Sequence, residues 1–203
     1  MTIRSGGAAD TRRAAQLHAS SITEGFLPRL GPRFLERLYR CVVNDEHSFL
    51  LVAEDPEAAE NDQGHIVGMI VGTEDVHALY RRFLRRDGVF AALAAAPRVL
   101  RNVGAVLETL RYGSSTTTDL PPAELLAIAV DDGARGRGLG RELVDALNAE
   151  FTRRGTSSSK VVVGAANDTA LHLYRGCGYR DAMSTEVHRN IPSQVLVWSP
   201  PAR

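Results

Sequence analysis

Glu124-Leu125-Leu126-Ala127-Ile128-Ala129-Val130, followed at once by Asp131-Asp132-Gly133-Ala134-Arg135-Gly136-Arg137-Gly138-Leu139-Gly140, is the stretch on which the fold turns. Its first seven residues are nearly all apolar, which suits a strand buried on both faces. From about Gly138 to Arg154, Leu139, Leu143, Leu147 and Phe151 step by four, the spacing of a helix with one apolar stripe. A strand, a glycine-rich turn and a helix N-terminus in this order make an anion site. The N–H groups of a first helical turn lack intrahelical partners, and the helix dipole favours negative charge. Glycines let a phosphate approach the backbone, and Arg135 and Arg137 add charge and donors. A P-loop is disfavoured, because Leu139-Gly140-Arg141 stands where Lys-Ser/Thr is needed. A dinucleotide fingerprint starting at Gly136 is disfavoured too, since position 141 would have to be glycine or alanine. A turn that merely starts a helix is the alternative that the glycines alone leave open.

Toward the C-terminus, Lys160 to Ala165 reads as another buried strand, and a short helix from Asp168 to Gly176 leads into Tyr179. A hairpin through Arg189-Asn190-Ile191-Pro192-Ser193 follows. Toward the N-terminus the order is strand, two helices, two strands. Asp10 is placed to cap a helix from Thr11 to about Ser20, with Ala14, Ala15, Leu17 and His18 near one face. Pro32 to Val43 forms a second helix on the spacing of Phe34, Leu35, Leu38, Tyr39 and Val42. Phe49 to Ala53 and His65 to Val71 are strands, joined by an acidic, turn-rich loop expected to be solvated. From Thr73 to Tyr112 the pattern turns helical, with breaks expected near Asp87-Gly88 and at Pro97, and a polar linker runs from Ser114 to Pro122. About forty residues rarely bury a core alone, so 73–120 reads as a helical insertion within a single domain spanning 1–203.

Composition bounds the function. At 44% apolar and 24% charged residues the chain falls in the globular range, which excludes disorder throughout. Its 24 basic residues balance 24 acidic ones, and without a basic excess general nucleic-acid binding is disfavoured. Lys160 is the single lysine, and every other cation is arginine. Cys41 and Cys177 lie far apart without metal-ligand or disulfide-framework spacing, so no metal site is expected and a reducing cytoplasm is the simplest setting. The N-terminus lacks the apolar stretch of a signal peptide, and no run is long enough to span a membrane.

A second stretch, Asn167-Asp168-Thr169-Ala170-Leu171-His172-Leu173-Tyr174-Arg175-Gly176-Cys177-Gly178-Tyr179, completes a pattern. Together with Arg135-Gly136-Arg137-Gly138-Leu139-Gly140, which fits R/Q-x-x-G-x-G/A, it resembles the GNAT N-acetyltransferase family, whose later segment reads N-x-x-A-x-x-x-Y-x-x-x-G-F/Y. The resemblance is close over 124–198 and loose over 1–72, and 73–120 lies outside it. It implies the GNAT fold, an α/β (α+β) architecture with a mixed, mostly antiparallel central sheet flanked by helices. It also implies acetyl-coenzyme A (acetyl-CoA) as cosubstrate. By that resemblance the N–H groups of Arg135, Gly136, Arg137, Gly138, Leu139 and Gly140 grip the pyrophosphate, and Val130 pairs with the pantetheine arm. The N–H of Ile128 faces the thioester carbonyl, and Asn167 reaches the cofactor arm. Tyr174 takes the place of the general acid. Glu124 opens the strand where some members carry a base, and a solvated strand-end carboxylate is an equal alternative.

The implied reaction is transfer of an acyl group to a primary amine of a small molecule, by direct attack in a ternary complex. Cys177 has no His/Asp partner pattern for an acyl-enzyme and reads as packing, and His172 reads as surface. Ser21, Glu24, Phe26, His188, Arg189 and Asn190 are candidates for the acceptor pocket. Between Tyr80 and Tyr112 seven arginines outnumber Asp87 and Glu108. They form a solvated helical cover, a lid for an acidic acceptor such as a nucleotide-linked amino sugar, or a docking face for an anionic membrane or carrier surface. A monomer or homodimer is expected. The competing class is a non-catalytic acyl-CoA sensor or protein-interaction module on the same scaffold, against which the presence of Tyr174 and Asn167 argues.

Overall fold

The computed structural model describes residues 1–22, 30–58, 65–94, 120–187 and 191–201. The elements are β1 (Thr2–Ser5), α1 (Thr11–Ser21), α2 (Pro32–Val43), β2 (Ser48–Glu54), β3 (Ile66–Thr73), α3 (Val76–Ala94), β4 (Glu124–Val130), α4 (Leu139–Arg153), β5 (Ser159–Gly164), α5 (Asp168–Gly176), β6 (Arg180–Val187) and β7 (Ile191–Trp198). The strands form one sheet in the order β1-β2-β3-β4-β5-β7-β6, antiparallel except between β4 and β5. The GNAT-like mixed architecture expected from the sequence is therefore present.

Two apolar layers cover the sheet. On one face Ala14, Leu17, Leu35, Leu38, Tyr39 and Val42 of α1 and α2 pack against Leu50, Val52, Met69, Val71, Ala127 and Ala129. On the other, Leu139, Leu143, Leu147 and Phe151 of α4 pack against Phe49, Leu51, Ile70 and Leu125, with Leu171 and Tyr174 of α5 beside them. Burying each large side chain stabilises the fold by about 1.5–3 kcal/mol, so the stripe read from the sequence is the main anchor of α4. Gly68 on β3 brings α4 close: a Cβ there would stand 3.1 Å from Leu143 Cδ1 and 3.3 Å from Leu139 Cδ2. Since Gly68 lies opposite Val130 in the ladder, this approach sets the start of α4 over the end of β4.

Several expectations are corrected. β4 alternates buried and half-buried residues rather than burying both faces, and β5 leaves Val162 37% exposed. The covering layers do not extend over the far side of β5, so its apolar run is one-sided there. α3 runs through Asp87-Gly88 without the predicted break. A single glycine costs a helix only about 1 kcal/mol, and Val76, Leu79 and Phe83, with Phe83 edge-on to Phe34 of α2, hold α3 in the core. Asp10 precedes α1, but its carboxylate makes no cap bond to that helix; it accepts from Arg4 and from the N–H of Gly7. The acidic loop is not simply solvated, because Glu54 pairs with Arg4 and buried Asp55 pairs with Arg137. Pro97, the linker from Ser114 to Asp119 and the turn at 188–190 lie outside the described residues. Among the described residues no helix is long and apolar enough to cross a membrane.

Candidate functional site

The site begins where two neighbouring strands part. β4 and β5 are registered only at Glu124↔Lys160 and Leu125↔Val161. Beyond that pair β4 continues along β3 alone, with an irregularity that leaves Leu126 without a partner between Ala127↔Val71 and Leu125↔Gly72. The N–H of Asp131 donates to the carbonyl of Val67 at 2.8 Å, so the backbone of Asp131 faces β3. In an antiparallel ladder this orientation repeats every second residue, and Ala129 faces β3 as well. The backbone polar groups of Ile128 and Val130 therefore point the other way, into the gap left by β5. The carbonyl of Val130 is already engaged, accepting from Ser21 Oγ at 3.3 Å and Arg135 Nε at 3.2 Å.

The glycine-rich turn closes one end of this gap. Gly136 and Gly138 have φ of 74° and 84°, conformations that other residues adopt only with strain, and a Cβ on either would meet no heavy atom within 4 Å. The N–H groups of Gly136, Arg137, Gly138, Leu139 and Gly140 have no hydrogen-bond partner among the described residues. Arg135 differs from its expected role, because its N–H donates to the Asp132 carbonyl at 3.3 Å and closes the short helical turn before it. The side chains around the turn are paired: Arg135 with Asp132 at 3.0 Å, Arg137 with Asp55 at 3.3 Å, and Arg13 of α1 with Asp131 at 2.9 Å. A row of unpaired donors, an open approach and the positive end of α4 fit a diphosphate.

α5 supplies the other wall. Tyr174 is 4% exposed, its ring lies 5.7 Å from that of Tyr179, and its hydroxyl makes no hydrogen bond to a described residue. Burial, with smaller effects from Tyr179 and Cys177, raises the phenol well above its ordinary pKa and keeps it protonated through the neutral range. Asn167 caps α5, its Oδ1 accepting from the N–H of Ala170 at 3.1 Å, a structural duty that the motif match alone does not reveal. Its amide nitrogen donates to no described residue.

A model of the acetyltransferase (GNAT) family matches residues 15–179. The chain belongs to the GNAT acetyltransferase family. Curated relatives include the [ribosomal protein bS18]-alanine N-acetyltransferases of Escherichia coli K12, 37% identical over 67 residues, and of Salmonella typhimurium, 39% identical over 67 residues. Each match covers 33% of this chain and 45% of the relative, so the chain spans under half the length of the curated relatives it matches. Among solved structures, the E. coli ribosomal-protein-S18-alanine N-acetyltransferase aligns with a TM-score of 0.59 at 15% identity, over 98% of this chain and 92% of that one. A Vibrio cholerae spermidine N-acetyltransferase gives 0.59 at 18%, over 98% and 95%. Arabidopsis thaliana NAA60 in complex with acetyl-CoA gives 0.62 at 13%, over 98% and 97%. These likenesses establish the GNAT fold.

On this GNAT scaffold Glu124 sits on the opposite face of the sheet from Tyr174. Leu125 joins the α4 layer with Tyr174, so its neighbour Glu124 points to the face covered by α1, α2 and α3. No hydrogen bond or ion pair joins Glu124 and Tyr174 among the described residues, and the parting of β4 and β5 is what connects the two faces. Lys160 Nζ stands 3.4 Å from Glu124 Oε2, with only 11% of the lysine and 18% of the glutamate side chain exposed. Burial raises the Glu124 pKa, and the Lys160 charge and hydrogen bond partly oppose it. Tyr80 of α3 is raised by burial and by Glu124, and His77 is lowered by burial and by Lys160.

Lys160, Tyr80, His77 and Asp55 are absent from the expected site. The lone lysine among arginines was the available signal for Lys160, but its pairing with Glu124 depends on parallel register that no local pattern encodes. Of the acceptor candidates, Ser21 bonds to β4, while Glu24, Phe26, His188, Arg189 and Asn190 lie outside the described residues. His172 is exposed, Cys177 is buried, and neither cysteine is in a disulfide.

Proposed function

We propose that this protein is an acetyl-CoA-dependent N-acyltransferase that acylates a primary amine of a small molecule by direct attack in a ternary complex. The observation that carries the reading is the parted β4–β5 edge, with the Ile128 backbone turned into the gap and a row of unpaired N–H groups at one end. The N–H groups of Gly136, Arg137, Gly138, Leu139 and Gly140 hold the pyrophosphate, with Arg135 as a side-chain donor. Val130 through its N–H, and Asn167 through its amide nitrogen, hold the pantetheine arm. Acetyl-CoA supplies the activated acyl group. The Ile128 N–H donates to the carbonyl oxygen as negative charge grows there. Glu124 accepts the proton of the amine, and Tyr174 donates to the departing sulfur. With its pKa raised, Tyr174 acts as a hydrogen-bond donor that completes proton transfer late, since full transfer to a thiolate of ordinary pKa about 8.5 is uphill.

The acceptor approaches from the face that carries α3. Arg81, Arg85 and Arg86 are exposed on that helix, which favours an acceptor bearing negative charge over a polycation. The test combines calorimetry with acetyl-CoA and thiol release across an amine panel that includes an acidic amino sugar, spermidine and an alanine-terminated peptide. Micromolar cofactor binding with turnover on an acidic small amine is expected. Binding without release on any amine favours the sensor reading, and no binding removes both.

A further inference from the structure

The residue facing Glu124 is the only lysine in a chain whose other 23 cations are arginines, so its presence there is not a product of composition. It is fixed at both ends. Its backbone N–H donates to the Ala123 carbonyl at 2.9 Å, and its Nζ donates to the Pro121 carbonyl, so the ammonium is tied to the segment that leads into β4. From this position it stands 3.4 Å from Glu124 Oε2 at the first of the two paired rungs, one residue before the last rung at Leu125↔Val161 where the strands part. Among the described residues, the other groups around Glu124 bring no second cation into contact. From α3 come the Tyr80 hydroxyl and, nearer Lys160, His77, whose own neighbours are Asp75 and Arg81. From β3 comes Thr73, whose hydroxyl bonds to Ser48 and the His47 carbonyl, and Arg82 is drawn to Asp45.

We propose that Lys160 is a positioning residue for acyl transfer, its ammonium holding the Glu124 carboxylate ionised and in place where β4 and β5 part. This rests on the reading of Glu124 as the base. A carboxyl group so buried without a cation keeps its own proton near neutral pH and has no vacant oxygen for the amine. A cation in perfect contact would make the carboxylate a poor base. The arrangement here lies between the two, with burial outweighing the lysine. The proton lost by the amine passes to a Glu124 oxygen and then to solvent, and the nitrogen lone pair forms the bond to the acyl carbon. The carbon–sulfur bond of the thioester breaks with the sulfur protonated by Tyr174, and Lys160 keeps its three protons. A compact ammonium meets both the Pro121 carbonyl and the carboxylate from one point, which a planar guanidinium does not.

The experiment measures kcat/KM against pH for the unaltered protein, Lys160→Met, Lys160→Gln, Lys160→Arg and Glu124→Gln, with acetyl-CoA and the best amine of the panel. Carbon-13 carboxyl NMR follows Glu124 directly in each free protein. Lys160→Met should move the acidic limb and the Glu124 titration upward by about 1–2 pH units, with acetyl-CoA affinity unchanged. Lys160→Gln reads the same shift if methionine prevents folding. Lys160→Arg keeps the charge, so its limb should stay within about half a unit while turnover falls as the aim is lost. Folded Lys160 variants with an unmoved limb and an unmoved Glu124 titration would overturn the proposal while leaving the base intact. A Glu124→Gln protein with full activity would instead overturn the base reading, and the role of Lys160 with it.

Discussion

Replacing Gly138 with alanine isolates the backbone geometry of the turn. Gly138 precedes α4 with φ 84° and ψ −6°, and a Cβ built there meets nothing within 4 Å. The methyl group therefore has room, and its whole cost is conformational, about 1–2 kcal/mol for an L-residue on the left-handed side. For a chain of this size each kcal/mol lowers Tm by about 2–4 °C, so a loss of roughly 5 °C is expected. The functional effect is separate. If the backbone relaxes toward negative φ, the N–H groups of Leu139 and Gly140 turn away from their common focus. A hydrogen bond to a charged group contributes about 1.5–3 kcal/mol, so each one lost raises Kd about 10- to 100-fold. Gly155→Ala is the control: it has φ 78° and equally open space, but it lies past the far end of α4. Scanning calorimetry should show similar melting losses for both variants, and titration calorimetry with acetyl-CoA should show weakened binding for Gly138→Ala alone. If both melt lower and both bind acetyl-CoA as tightly as the unaltered protein, the assignment of the pyrophosphate to this turn is refuted.

Tyr174→Phe keeps the ring beside Tyr179 and removes a hydroxyl that bonds to no described residue, so stability should hold while turnover falls about 100-fold or more; full turnover at unchanged cofactor affinity removes the acid role. Buried His18, bonded through Nδ1 to the Tyr39 hydroxyl, is lowered by burial from 6.5 to about 4. A depressed histidine contributes stability above its unfolded pKa and loses it as pH falls from 6.5 toward 4, here about 3 kcal/mol in all. Urea titrations over that window should show the slope, and His18→Gln should flatten it; an equal slope in the variant discounts His18. Glu150, lowered to about 2 by Arg153 and Arg154, acts between its ordinary 4.5 and 2, a range that meets the His18 window only at its acid end. Gly72→Ala would put a Cβ 2.5 Å from Cζ of Phe49, a ring held edge-on by Phe151 at 5.1 Å. Overpacking of this kind costs about 1–3 kcal/mol, and a urea midpoint no lower than that of the unaltered protein would show that the ring gives way freely.

What the sequence revealed and what it hid divide along physical lines. The β4–turn–α4 unit was legible because its signals are local: an apolar run, glycines at positions that need positive φ, and a stripe of period four. α2 and α5 were legible for the same reason, and the structure returns both over the expected residues. The strandedness of β4 and β5 could be read, but not their separation, which is a property of pairing. Nothing in Leu126 to Val130 or in Val162 to Gly164 says that the two strands stop touching after two rungs. The continuity of α3 was hidden because Asp87-Gly88 is a sound local stop signal that the packing of Val76, Leu79 and Phe83 overrides upstream. The Glu124–Lys160 pair was hidden twice over, by a separation of 36 residues and by dependence on parallel register.

The turn also shows why counting arginines misleads. Arg135 and Arg137 read as a cationic attraction for phosphate, yet the structure places an aspartate against each, and Arg13 takes a third. The two arginines are not equivalent. Arg135 and Asp132 are both exposed, a pair that holds weakly and opens to a stronger anion. Asp55 is buried at the base of the β2–β3 hairpin, so its pair with Arg137 is tied to the fold and opens less readily. With acids this close, the field in front of the turn is modest, and charge alone would select poorly among anions. What remains is the line of backbone donors from Gly136 to Gly140, fixed by two positive-φ glycines and by α4 lying close on Gly68. Selection at this site is therefore by donor geometry more than by net charge, in keeping with a chain whose 24 cations and 24 anions cancel.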